Sequence, residues 1–253
     1  MRRRVTALAW WTAVELLRER ILYVVLLFAA LLVTSSCLLT PLAPGAQAKV
    51  VADFGLAAID LLGVLVILLS GSALLRREVE RRSLDIILTK PLGRLEYLLG
   101  KCLGLVATLV VLTVAMTALF AAAVAATGFG WRNAYFVAIG AQLLELVVVA
   151  SLAVLFSTFT SPTLAALFTL SLFAAGHLLG NVVRLAAATG AGSTLRALER
   201  VLPALGLFDL RAEVVHGVGI EPARLLTAAA YAALYSFAAL YLASLIFRRR
   251  DCR

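Results

Sequence analysis

The chain carries six long apolar runs, at residues 21–40, 54–75, 103–126, 134–156, 163–179 and 224–247. A helix of about 20 residues covers a hydrocarbon core of about 30 Å, so runs of this length can span a bilayer. The fifth is the shortest, and Pro162 suits its first turn. The fourth is the least pure, since it holds Gln142 and Glu145. None alternates with the period of two that marks barrel strands, so helices are expected. Composition points the same way. Hydrophobic residues make up 63% and charged residues 15% of the 253, and the mean hydropathy is +1.02. The expectation is an all-α integral membrane protein, one transmembrane domain over residues 1–253 with six transmembrane helices.

A net charge of +9 would suggest nucleic acid in a soluble protein. Here the topology rule for basic loops is the simpler explanation, and no nucleic-acid partner is expected. With the N-terminus placed in the cytoplasm, sixteen Arg and Lys fall on that side and seven on the other. That asymmetry puts both termini and the loop between the second and third runs in the cytoplasm, as in a multi-pass protein of the inner (plasma) membrane. An even number of spans agrees.

No small-residue cleavage site follows the basic start, so a signal peptide is not expected. In residues 1–20, Arg4, Trp11, Glu15 and Arg18 fall on one helical face, and Val5, Leu8, Thr12 and Leu16 on another. With Trp10 and Trp11 as interface anchors, this reads as an N-terminal amphipathic helix in the inner headgroup region. The alternative is a plain cytoplasmic extension of the first span.

Residues 77–101 read REVERRSLDIILTKPLGRLEYLLGK, a charged segment between two apolar runs. From Glu78 to Leu88 there are good helix formers and no Gly or Pro. Pro91 turns Lys90 away from helical angles, so that helix should end there. A second helix should begin near Arg94 and run into the third span. Such a cytoplasmic helix can take a push from a soluble partner; a solvated loop obeying the positive-inside rule is the other reading.

The residues that bear on this choice are Glu78 and Glu80, the block Ser83, Leu84, Ile87 and Leu88, the turn Lys90, Pro91 and Arg94, and the ending Leu99, Gly100 and Lys101. Together they resemble the signature of ABC-2-type transporter permeases. Arg82 stands where that family often has glycine. In LERVLPALGLFDLRAEVVHG, the spacing of Pro203, Phe208, Asp209 and Val215–Gly217 is similar to the branch of copper-enzyme-maturation and gliding-type ABC permeases. The resemblance implies a permease subunit of an exporter. A second permease copy, identical or closely related, would complete the pore in the lipid bilayer. Separate ABC ATPase subunits would bind ATP and Mg. It also implies that residues 76–101 form a cytoplasmic coupling helix, with Glu78, Glu80, Arg81, Arg82, Asp85, Lys90, Pro91 and Arg94 docking the ATPase.

The chain itself should be neither an enzyme nor a cofactor carrier. A P-loop needs G-x-x-x-x-G-K-[ST]. Of the lysines, Lys49, Lys90 and Lys101, only Lys101 follows glycine, and Cys102 comes next. Cys37, Cys102 and Cys252 are scattered, and His177 and His216 are the only histidines, so neither catalytic residues nor a metal site are expected.

Polar residues inside the runs mark a translocation path or a packing device. Glu145 lies near the middle of the fourth run with Gln142 one turn earlier, and an ionisable group there is costly. Path and packing are equally open for this pair. Asp60 lies about 9 Å into the second run and is expected to face outer water. His177, Asn181 and Arg184 share one face at the outer end of the fifth, as an exit vestibule or as interface anchors. The extracytoplasmic segment 181–221 is expected on the outer bilayer surface, with a short helix through Leu195, Leu198 and Leu202. Gly63, Ser70 and Gly71 suit a subunit seam along the second and fifth spans. A different class of function, a non-transporting membrane scaffold that anchors a soluble partner, also fits this outline.

Overall fold

A computed structural model describes residues 2–39, 47–72, 94–126, 130–188 and 202–249. Residues 2–39 contain neither glycine nor proline, and nothing in them interrupts a helix. They form one continuous helix, α1 (Arg2–Leu39). The interfacial helix expected over residues 1–20 runs into the first expected span without a break. Its Leu8, Thr12 and Leu16 face packs inward, and Trp10 and Trp11 are exposed.

Helix α2 (Gln47–Val66) continues into a wider π-helical turn at Ile67–Gly71, where the Ser72 hydroxyl donates back to the Leu68 carbonyl. Helix α3 (Arg94–Ala126) starts where the sequence placed it, just after Pro91. Helix α4 (Ala134–Ser157) and helix α5 (Pro162–Ala188) come next. Pro162 and Pro222 each occupy a first helical position, where the missing N–H costs nothing. A short helix α6 (Arg211–His216) precedes the last long one, α7 (Pro222–Arg249). No strand occurs among the described residues.

Among the described residues, four helices are long and apolar enough to cross a membrane: Lys49–Gly71, Glu96–Ala126, Ala134–Ser157 and Pro222–Phe247. The first and fifth expected spans correspond to the shorter apolar stretches Tyr23–Thr34 and Pro162–Leu178.

Helix α4 sits at the centre. It packs against α2, α3, α5 and α7, and residues Leu146 and Val148 to Val154 are buried on every side. An α-helix that is apolar all round is a core helix. Helix α1 lies along α3 and α2. Helix α5 keeps Leu164, Leu167, Phe168, Leu170 and Leu178 outward, as a lipid- or partner-facing side requires.

Small residues decide where helices come closest. A Cβ at Gly63 would sit 2.6 Å from the Leu146 side chain, and one at Gly71 3.0 Å from Leu105. Ser70 is buried as well. These three residues therefore serve the chain's own bundle, which corrects the subunit seam expected of them.

Candidate functional site

The charged segment expected to dock a partner lies mostly outside the described residues. This holds for Glu78, Glu80, Arg81, Arg82, Asp85, Lys90 and Pro91. Arg94 opens α3. In the second turn of that helix, Lys101 is buried. A Cβ on Gly100 would lie 2.6 Å from Leu8, and one on Gly104 2.5 Å from Thr12 and 2.8 Å from the Ala9 carbonyl oxygen. Gly100 and Gly104 are one turn apart, so they form a small-residue groove that admits the backbone of α1. The start of α3, directly after the charged loop, is thereby tied to the N-terminal helix. Sequence reasoning used Gly100 as a motif position and missed this role, although the spacing G-x-x-x-G was there to be seen.

The second region lies between α2, α4 and α5. Gln142 of α4 donates from Nε2 to the Leu56 carbonyl of α2 at 3.0 Å, which fixes the register of the two helices. One turn further along α4, Glu145 is buried, with Oε1 3.4 Å from His177 Nε2 of α5. Asp60 of α2 completes the group: one donor atom from each of Asp60, Glu145 and His177 lies within 4.8 Å of the others. Asp60 is half-buried, and its Oδ1 is buried. Asn181 belongs to the same helix as His177, one turn on.

The segment before α7 packs over this region. Residues 202–217 fold onto the bundle. A single 3-10 turn at Leu205–Leu207 leads into α6, and Leu205, Phe208, Leu210, Val214 and Val215 are buried. Gly176 lets this segment approach α5: a Cβ there would be 2.8 Å from the Pro203 carbonyl oxygen and from Leu205. The Tyr231 hydroxyl accepts from the Ala204 N–H at 3.0 Å, and Arg211 Nε pairs with Asp53 Oδ1 of α2 at 3.2 Å. Asp209 and Arg211 come within electrostatic range of Asp60 and His177, and Asp209 of Glu145. The segment ends in a left-handed Gly217 (φ 76°), with the Val218 N–H closing on the Glu213 carbonyl at 2.9 Å. The expected helix through Leu195 and Leu198 lies outside the described residues.

The cluster combines two carboxylates with an imidazole and includes no hydroxyl or thiol nucleophile. It can hold a cation or a proton, or lock three helices together.

No curated protein matches the chain. The family model for the ABC-2 family transporter protein matches residues 7–252. That match covers nearly the whole chain, including the α1–α3 contact, the buried cluster and the cap formed by residues 202–217. The chain therefore belongs to the ABC-2 transporter family and is a multi-pass membrane permease component of an ABC transporter, not itself the ATPase.

Proposed function

We propose that this chain is the six-span permease subunit of an ABC-2 exporter, coupled through residues 76–101 to ATPase subunits that bind ATP and Mg. The observation that carries this reading is the family match over residues 7–252. Both termini lie in the cytoplasm and the protein resides in the inner membrane, as the distribution of Arg and Lys favours. The short apolar stretches Tyr23–Thr34 and Pro162–Leu178 supply the first and fifth spans beside the four longer ones.

The packing supports a route for force. A movement of the ATPases reaches residues 76–101 and has two exits. Toward the C-terminal side it enters α3, whose Gly100 and Gly104 hold α1 at van der Waals contact. Toward the N-terminal side it enters the π-helical end of α2, which packs against α3, α4 and α5. Segments wound this way recur at functional positions because they trade regular hydrogen bonding for a local change of register. A second copy of the chain supplies the second docking segment, since two ATPase subunits complete each other's nucleotide sites in the family.

Charge reversal tests the docking assignment. In the double variant Glu80→Lys, Asp85→Lys, the ATPase recovered with the purified permease should fall by roughly tenfold, as like charges then face the ATPase. Membrane insertion should be unchanged. Equal recovery with the double variant would remove the coupling role from this segment.

A further inference from the structure

Asp60, Glu145 and His177 come from three different helices and converge on one point. Glu145 is 1% exposed. Asp60 Oδ1 and Glu145 Oε1 are both buried without a hydrogen-bond partner. Two carboxylates placed together in an apolar bundle carry a heavy desolvation and repulsion cost unless a positive charge joins them. The nearby segment brings one charge of each sign within range of Asp60, from Asp209 and from Arg211, and Arg211 is also paired through Nε with Asp53. The His177 imidazole, turned toward Glu145, adds a nitrogen donor to the same point.

We propose that Asp60, Glu145 and His177 form a binding site for a divalent transition-metal ion of the zinc class. The geometry is close to what such an ion needs. In a tetrahedral shell with bonds of about 2.0–2.2 Å, donor atoms stand about 3.4 Å apart. The Glu145–His177 pair is at 3.4 Å, and the widest separation in the trio is within 4.8 Å. Side-chain adjustments of roughly 1 Å close the set around an ion of that size. The donors select the class. One imidazole with two carboxylates suits Zn, Co or Mn, whereas Cu(I) favours thiolate or thioether sulfur. Ca and Mg favour all-oxygen shells of six or more ligands. Bound there, the ion ties α2, α4 and α5 together beneath the cap formed by residues 202–217.

The test uses the purified full-length chain in detergent, stripped with a chelator and titrated with Co(II) and then Zn(II). One Co(II) per chain should bind with the intense visible absorption of a tetrahedral site, and Zn(II) should displace it. The near-isosteric variants Asp60→Asn and Glu145→Gln should weaken binding by roughly tenfold or more. The variant His216→Ala removes an exposed imidazole outside the cluster and should bind as the wild type does. A wild-type chain that takes up neither ion overturns the proposal, and the carboxyl groups then share a proton instead. Variants that bind as tightly as the wild type overturn it too. Should a variant fail to purify as a single species, the wild-type titration alone decides. No ATPase or transport substrate enters the measurement, so its outcome is separate from that of the transport reading.

Discussion

At the residue scale, the glycines separate into those that hold helices together and those that do not. Gly104 belongs to the first kind, with Thr12 and the Ala9 carbonyl oxygen directly above it. The backbone oxygen cannot rotate away, so a side chain at Gly104 has to displace α1. We expect Gly104→Leu to cost about 1–3 kcal/mol, the usual penalty of overpacking a close contact. Gly140 is the control, because nothing lies within 4 Å of a Cβ there. Thermal unfolding in detergent should show a lower midpoint for Gly104→Leu and little change for Gly140→Leu. Equal midpoints would remove the close α1–α3 contact from the account. The sequence displayed these glycines, but not their partners. Leu8 and Gly100 are neighbours only after two helices have packed, and no local pattern carries that information.

At the element scale, the long helices were legible and the outer segment was not. The expected span at 134–156 is observed at Ala134–Ser157, and that at 224–247 within Pro222–Arg249. Apolar length is a local property, and a bilayer-crossing helix is mostly that property. Residues 202–217 are mixed in character, and their placement depends on Gly176, Tyr231 and Asp53 in other helices. For the same reason the burial of Asp60 Oδ1 was not legible. Counting its depth along α2 says nothing of what covers the helix end.

The cap makes its own prediction. Val214 is fully buried, so a cysteine there, in a chain whose own Cys37, Cys102 and Cys252 are replaced, should resist an impermeant thiol reagent. Adding Gly176→Leu drives a side chain into the Pro203 carbonyl oxygen and Leu205, and labelling at position 214 should rise by roughly tenfold if lifting the cap is eased by about 1.4 kcal/mol. Ready labelling of the single-cysteine chain without that substitution would mean that the segment does not dock.

At the scale of the whole molecule, one chain has a single copy of the charged segment and a central helix filled with its own neighbours. Its outward sides are apolar along α5 and α7. In the proposed pair, the contact between permease copies would use such apolar sides, which α1 and α3 present as well. The account's central claim is that this chain works as a pair beneath which two ATPase subunits dock. The most direct measurement is the native mass of the complex purified with its ATPase from membranes. The account predicts two 26.9 kDa chains together with two ATPase subunits. A permease recovered with no ATPase, or a single chain bound to a single ATPase, would contradict it.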